Sequence, residues 1–147
     1  MAKIGDLFIG QPKPKFNPLD FASLSLEKIW SSYDELTDSI VCFFTGEPVR
    51  ATSLYIEDNV FYVMADPQSR DVVGIHIEVA EKKFIAKYPL LEASWPHVKA
   101  TLEIEEQDGS CALLRLFSFG IVFLVKDQII EEQVSRENFL TTDMEGH

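Results

Sequence analysis

The stretch "VFYVMADPQSRDVVGIHIE", residues 60–78, decides how the chain folds, because a short polar segment there separates two apolar segments. Both apolar segments are rich in β-branched and aromatic residues, which favour strands. The polar segment "DPQS" places Asp66 and Pro67 at the first two positions of a turn, as a type I turn favours. We therefore predict two antiparallel strands joined as a hairpin.

The same strand character continues upstream, in "SIVCFFT" (39–45) and "VRATSLYI" (49–56). Gly46 and Pro48 separate these two segments, and the polar "EDNV" separates the second from the hairpin. Strands joined by short connections usually pair with each other. The sequence therefore predicts a four-stranded antiparallel meander.

Before the sheet, residues 1–19 contain "QPKPKFNP", whose prolines and polar neighbours are typical of an extended lead-in. Residues 20–30 leave two alternatives open. Asp20 could cap a helix, or the segment could lead into a strand that ends near Tyr33.

After the sheet, the spacing of the apolar residues in "VAEKKFIAKYPLLEASW" predicts one short helix near 79–88, ended by Pro89. Pro96 marks a second break. Apolar and polar residues then alternate, which predicts a second set of strands over 98–134 with hairpin turns at Asp108–Gly109 and Lys126–Asp127. A buried helix over 112–125 is the alternative.

These patterns predict an α+β fold: an antiparallel β-meander with one short helix and further C-terminal antiparallel strands. A length of 147 residues fits a single domain, residues 1–147. Within it we expect three parts, the extended lead-in (1–19), the β-meander (26–79) and the second set of strands (98–134).

The charge of the chain is strongly acidic, with 24 acidic and 13 basic residues and a formal net charge of -11. Binding to nucleic acid or to anionic membranes depends on clusters of lysine and arginine, so neither partner is expected. The apolar stretch 111–125 contains Arg115 and is shorter than the roughly 20 residues that a membrane-spanning helix needs. Cys42 and Cys111 form no CxxC pattern, and the N-terminus lacks the features of a signal peptide. We therefore expect buried, reduced thiols and a cytoplasmic location.

Two segments resemble a known family of small β-meander domains, the domain of unknown function 2283 type. They are "YDELTDSIVCFF", with Tyr33, Asp34 and Asp38, and "YIEDNVFYVMADPQSRDVVGIHIE". The resemblance covers about residues 26–79 and leaves the C-terminal half uncovered. It implies that "KIWSSY" is a strand and "YDELTD" a hairpin turn, and it implies no activity. This chain departs from the family at His76, where the family usually has glutamate.

Four polar residues form the candidate site: Asp66 and Asp71 at the hairpin turn, and His76 and Glu78 two residues apart on the second strand. Residues two apart in a strand point to the same face, and a histidine beside a carboxylate can act as a general base or as half of a metal site. A solvent-facing strand surface explains the same pair. The aspartates at the predicted turns can accept backbone hydrogen bonds, which makes them turn formers first. They are Asp34, Asp38, Asp58, Asp66 and Asp71.

Other catalytic and cofactor signatures are missing from the sequence. There is no calcium-loop spacing, no metal-ligand spacing around a histidine, no GxSxG motif and no glycine-rich phosphate loop. We therefore expect no metal and no cofactor.

The sequence favours a non-catalytic interaction module that self-associates as a homodimer through its apolar C-terminal segment, with any other protein partner unidentified. Two alternatives stay open. One is a metal-dependent or hydrolytic enzyme that uses His76 and Glu78 with a turn aspartate. The other is a binder of a small apolar ligand in a pocket between helix and sheet.

Overall fold

Five β-strands form one antiparallel sheet in the computed structural model, which describes residues 16–57, 60–104 and 109–132. Helices pack against one face of the sheet, so the predicted α+β class is confirmed. The strands are β1 (Trp30–Asp34), β2 (Ser39–Phe43), β3 (Thr52–Glu57), β4 (Phe61–Ala65) and β5 (Val72–Ile77).

The strand order is β1-β2-β5-β4-β3, which differs from a simple meander. The hairpins β1–β2, β3–β4 and β4–β5 pair as predicted, but β5 lies where β3 was expected, beside β2. The burial of the strands explains this order. In β5 four of the six residues, Val73 to Ile77 except His76, are buried, whereas Thr52 and Ser53 of β3 are exposed. β5 therefore takes the centre of the sheet, and β3, which begins with two exposed residues, takes an edge.

Short helical turns precede and follow the sheet. A 3-10 turn at Phe21–Ser23 is capped by Asp20, whose Oδ1 accepts from the amide of Ala22 at 3.1 Å, and a second follows at Leu26–Lys28. Both alternatives for 20–30 are therefore partly right, since the segment begins with a capped helical turn and leads into β1. The predicted short helix near 79–88 is also present, as a π-helical turn at Ala80–Phe84 that continues into a 3-10 turn at Ile85–Lys87.

The predicted C-terminal antiparallel strands over 98–134 are wrong, because this part of the described chain is helical. It contains α1 (Pro89–Ile104), α2 (Ala112–Leu124) and a last helix, α3, over 126–132. Pro89 begins α1, where its missing N–H has no helical partner to lose. Pro96 lies within α1, so the predicted break at this residue is wrong. Pro96 and Glu92 are both exposed, so water can bond the carbonyl that the proline leaves unpaired.

The buried residues of α1 show why the alternation was misleading. Leu91, Trp95, Val98 and Leu102 are buried, at the four- and three-residue spacing of a helix face. Val98 and Leu102 also fit a strand, because residues four apart share a face in both structures. Ile104, the next apolar residue of the supposed strand, is 86% exposed. The helical spacing is therefore the one that the fold uses.

The two predicted C-terminal hairpin turns are also wrong. Gly109 lies in the connection between α1 and α2, and Asp108 lies outside the described residues. Gly109 has a φ of 90°, and its carbonyl accepts from the amide of Ser31 at 3.2 Å, on the edge of β1. Lys126 and Asp127 begin α3.

Arg115 fixes α2 to the segment before β1. Its Nε donates to the carbonyl of Ile29 at 2.8 Å, and its Nη2 donates to those of Leu26 and Glu27 at 2.7 and 2.9 Å. The Leu26 carbonyl also accepts from the amide of Ile29 at 3.2 Å within the 3-10 turn, so the arginine adds bonds to the carbonyls at and after this turn. In this way the arginine inside the apolar stretch 111–125 has a structural role.

The core lies between the inner face of the sheet and the helices, and Phe61, Ile75, Phe84, Leu114 and Ile121 are among its fully buried side chains. Cys42 and Cys111 are both buried in it and form no disulfide, as predicted. Burial raises the pKa of the Cys42 thiol to about 12. Within the described ranges, no helix has both the length and the apolar character needed to cross a membrane.

Candidate functional site

The hairpin turn between β4 and β5 contains the first two candidate residues, Asp66 and Asp71. Oδ1 of Asp66 accepts from the amides of Gln68 and Ser69 at 2.8 and 2.9 Å. These two bonds lower the pKa of the Asp66 carboxyl. Asp71 accepts from Nδ2 of Asn17 at 2.8 Å, which ties the start of the described chain to the turn. The predicted role of Asp66 as a turn former is confirmed.

Replacing Asp66 should separate the turn role from any binding role. Asp66→Asn keeps a side-chain oxygen that can accept from the turn amides, so we expect little change in the free energy of unfolding. Asp66→Ala removes both bonds and should destabilise the chain by about 1 kcal/mol. Urea denaturation followed by tryptophan fluorescence measures both. Equal stability of the Asp66→Ala variant and the unchanged chain would contradict this role.

The turn and the histidine lie at different places along the sheet. Ala65 pairs with Val72 beside the turn, whereas Tyr62 pairs with His76. His76 is four residues from Val72, which corresponds to about 13 Å along an extended strand. Asp66 and Asp71 therefore do not meet His76 and Glu78, and the four candidate residues are not one site.

His76 and Glu78 lie on the outer face of the sheet, the face turned away from the helical core. Alternation along each strand places one set of side chains in the core and the other set on this face. At one end of the face Phe43 and Met64 are buried in a second, smaller apolar cluster. The outer-face residues of the described strands include Trp30, Ser32, Asp34, Ser39, Val41, Phe43, Ser53, Tyr55, Tyr62, Met64, Gly74 and His76.

Three aromatic side chains, Tyr55, Tyr62 and His76, form a continuous row across β3, β4 and β5, which we call the aromatic row. Tyr55 pairs with Tyr62, and Tyr62 pairs with His76. The ring centroids of Tyr55 and Tyr62 are 5.6 Å apart, and those of Tyr62 and His76 are 5.7 Å apart with the rings nearly parallel at 29°. Tyr55 is 40% exposed, and Tyr62 and His76 are half-buried, so solvent reaches the row.

Glu78 lies beside the aromatic row, next to its middle ring, Tyr62. The hydroxyl of Tyr62 donates a hydrogen bond to the carboxylate of Glu78. This hydrogen bond is the larger cause, and burial the smaller, of a raised pKa of Tyr62. Burial lowers the pKa of His76, and the nearby charge of Glu78 opposes that shift only in part. At neutral pH the row is therefore an uncharged aromatic surface beside one carboxylate.

The protonation states of these groups bear on the chemistry that the aromatic row can perform. A phenol with a raised pKa is a weaker acid at neutral pH, and a general base needs a substrate proton within hydrogen-bond reach. In the part of the chain that the structure describes, no three histidine, cysteine, aspartate or glutamate side chains are grouped so that they could hold a metal ion. Aromatic faces next to a carboxylate can instead bind by stacking and by charge.

Asp38 is the centre of a second polar cluster, which sequence reasoning treated only as a turn residue. Its Oδ1 accepts from the hydroxyl of Tyr33 and from the amide of Glu81, both at 2.8 Å, and its Oδ2 accepts from the amide of Lys82 at 3.2 Å. It thereby caps the start of the π-helical turn with a negative charge. Asp34 is a turn former as predicted, since it accepts from the amide of Leu36 at 2.9 Å. Asp58 lies outside the described residues.

Glu81 extends this cluster toward α1. Its Oε1 accepts from Nζ of Lys99 at 2.8 Å and from Nε1 of Trp95 at 2.7 Å, and both bonds lower the pKa of Glu81. The Trp95 ring also packs edge-on against Tyr33, with centroids 4.9 Å apart. The cluster joins the first hairpin to α1, so its role is structural.

The outward side of α2 is apolar and exposed. Leu113, Leu116, Phe123 and Leu124 are exposed by 41, 54, 41 and 43%, respectively, and we call them the α2 stripe. At 3.6 residues per turn they fall within an arc of roughly 100°. The opposite side of the helix contains its buried residues, Leu114, Phe117, Ser118, Ile121 and Val122. Sequence reasoning favoured strands for this segment and kept a buried helix over 112–125 as the alternative, and the structure contains the helix.

A surface cavity of about 260 Å³ lies at the hairpin turn, lined by Arg50, Asp66, Pro67 and Gln68. Its lining is solvent-exposed except for Asp66, which is half-buried. It does not resemble the deep apolar pocket between helix and sheet that a binder of small apolar ligands would use.

Comparisons of the chain with protein-family models, with curated proteins and with solved structures find no match. The resemblance over residues 26–79 therefore stays a prediction. β1 and the turn after it are present where that resemblance implies a strand and a hairpin turn. Fold and surface together define the class: an α+β protein that exposes an aromatic row on its sheet and an apolar stripe on a helix.

Proposed function

We propose that this chain is a non-catalytic interaction module that self-associates as a homodimer, with α2 at the interface. The α2 stripe is the observation that carries this proposal. It places four large apolar side chains, each more than 40% exposed, on one side of a single helix. Contiguous exposed apolar patches on a protein surface usually mark an interaction site.

The reason for expecting a dimer differs from the one that the sequence suggested. The predicted C-terminal strands had two apolar faces, and the second face needed another element or subunit to bury it. The helix α2 instead buries one side in its own chain. The exposed stripe on its other side now supports the proposal. A two-fold contact uses the same patch from both subunits, so the patch must be complementary to itself.

A second copy fits this stripe because the four side chains of the stripe are uncharged. Two molecules with a net charge of -11 each repel at long range, and charged residues across the contact would add to that repulsion. An apolar centre avoids like charges at the interface. In an antiparallel pair of α2 helices the N-terminus of each also lies beside the C-terminus of the other, which is the favourable arrangement of helix dipoles.

The aromatic row supports the non-catalytic part of the proposal. It offers a neutral histidine, a tyrosine bonded to Glu78, and no turn aspartate nearby. The alternative hypothesis of a metal-dependent or hydrolytic enzyme requires a turn aspartate beside His76 and Glu78. We also infer a cytoplasmic location, because both cysteines are buried and outside any disulfide, as is usual in reducing compartments.

Charge substitutions in the α2 stripe test the proposal. Leu116→Glu and Leu124→Glu should each weaken the dimer by roughly 100-fold, because each removes about 1.5–3 kcal/mol of apolar burial and places a carboxylate in the contact. Leu90→Glu is the matched control, since Leu90 is 83% exposed at the start of α1. Size exclusion with light scattering gives the mass of each variant, and circular dichroism verifies that each remains folded.

A dimer that survives both stripe substitutions would place the interface elsewhere. Loss of the dimer in Leu90→Glu as well would show that the effect is not specific to the stripe. Both results would contradict the proposed interface.

A further inference from the structure

We propose that the aromatic row and Glu78 form a binding site for a guanidinium group, supplied by an arginine side chain of a protein partner. The site would take the planar cation against the rings of Tyr55, which is exposed, and Tyr62, which is half-buried, with the carboxylate of Glu78 as its counter-ion. This proposal is independent of the dimer, because the row lies on the outer face of the sheet and α2 packs against the inner face.

The rings supply the first part of the site. Tyr55 and Tyr62 pair across the β3–β4 ladder with their centroids 5.6 Å apart, and His76 continues the row at 5.7 Å. A guanidinium within about 6 Å of a ring centroid is attracted to the negative face of the ring. Tyr55, at the sheet edge and 40% exposed, is the ring that a partner reaches first.

The carboxylate supplies the second part. Glu78 is half-buried and accepts one hydrogen bond from Tyr62, which orients it. A carboxylate has about four acceptor positions, so this bond leaves positions for the N–H groups of a guanidinium. Arginine donates two parallel hydrogen bonds to a carboxylate and can stack on an aromatic face at the same time, which lysine cannot do.

Charge complementarity supports a basic partner rather than a second copy of this chain. The net charge of -11 draws cationic groups toward the molecule and repels another acidic chain. Burial lowers the pKa of His76, so at neutral pH this side chain is uncharged and does not repel a guanidinium or pair with Glu78 in its place.

The test uses three blocked tripeptides: acetyl-Gly-Arg-Gly-amide, the lysine analogue, and the citrulline analogue, which has nearly the same shape as arginine but no charge. Each is titrated into the isotope-labelled full chain while the backbone amide resonances are followed by NMR. We expect saturable shifts at Tyr55, Tyr62 and His76 with the arginine peptide, and at least threefold weaker binding of the other two.

Variants then connect the shifts to the site. Tyr55→Leu and Glu78→Gln should each weaken arginine binding by about threefold or more. Glu92→Gln is the matched control for the charge change, because Glu92 is an exposed glutamate on α1. It should bind the arginine peptide as the unchanged chain does. Thermal unfolding of each variant shows whether the fold is kept.

Three results would overturn the proposal. One is equal binding of the citrulline or the lysine peptide, which would show that no guanidinium is recognised. Another is a set of shifts spread over acidic residues outside the aromatic row, which would indicate general charge attraction. The third is binding unchanged in folded Tyr55→Leu and Glu78→Gln variants.

Discussion

Replacing Gly74 by alanine should destabilise the fold by about 3 kcal/mol, because the centre of the sheet has no room for a β-carbon at this position. A Cβ there would collide with the carbonyl oxygen of Cys42 in β2. It would also lie 2.8 Å from Cε of Met64 and 3.1 Å from Cα of Phe43. Met64 can rotate away, but the backbone of β2 cannot move without separating β2 from β5.

Gly120→Ala is the matched control for this substitution. A Cβ at Gly120 would have no heavy atom within 4 Å, and the residue lies inside α2. The alanine should therefore raise the free energy of unfolding by about 0.5–1 kcal/mol, through its better helix propensity. Urea denaturation measures both variants. Ordinary substitutions change the free energy of unfolding by roughly 1 kcal/mol. A Gly74→Ala variant whose free energy of unfolding lies within about 0.5 kcal/mol of that of the unchanged chain would contradict the described β2–β5 packing.

Replacing Asp38 by alanine should have a similarly large effect, a loss of about 3 kcal/mol of stability. Three hydrogen bonds to its carboxylate disappear, from the hydroxyl of Tyr33 and from the amides of Glu81 and Lys82. Bonds to a charged acceptor contribute about 1.5–3 kcal/mol each where they are buried, and less where solvent reaches them, as it does here. Asp38 also has a φ of 53°, a conformation that alanine adopts less readily than aspartate or asparagine.

Asp38→Asn separates these contributions, because asparagine tolerates the same φ and keeps one acceptor oxygen. We expect it to lose about half as much stability as Asp38→Ala. Thermal and urea denaturation of the two variants give the comparison. An equal loss of stability in both variants would mean that only the charge of Asp38 matters. No loss of stability in either variant would contradict the stabilising role of Asp38 in the cluster.

The sheet was largely predictable from the sequence, because its signals are local. β-branched and aromatic segments mark the strands, and Asp66 and Pro67 mark the turn that joins β4 to β5. The strand order was not predictable in this way. The position of β5 beside β2, with β3 at the far edge, depends on how the strands pack in the finished core, and this is a property of the whole fold.

The C-terminal helices show where local patterns fail. Val98 and Leu102 satisfy both a strand face and a helix face, and only their packing with Leu91 and Trp95 decides between the two. Asp108–Gly109 resembles a hairpin turn, yet Gly109 supplies the positive φ that a connection between helices needs. Both signals are real, and each is compatible with two structures.

The candidate site was partly predictable for the same reason. Strand alternation correctly places His76 and Glu78 on one face. Tyr55 and Tyr62 were missed, because their contact with His76 requires the register between three strands. The grouping of Asp66 and Asp71 with His76 failed, because nearness in sequence along an extended strand still means separation in space.

The mass of the unchanged chain in solution is the most direct test of the proposed self-association. Sedimentation velocity should be measured from about 5 to 200 µM, a range over which a homodimer with a Kd of about 5 µM or below is mostly assembled. We predict a species of about 33 kDa, twice the 16.7 kDa of one chain, with dissociation toward monomer only at the lowest concentrations. A single species of 16.7 kDa across the whole range would contradict the proposal.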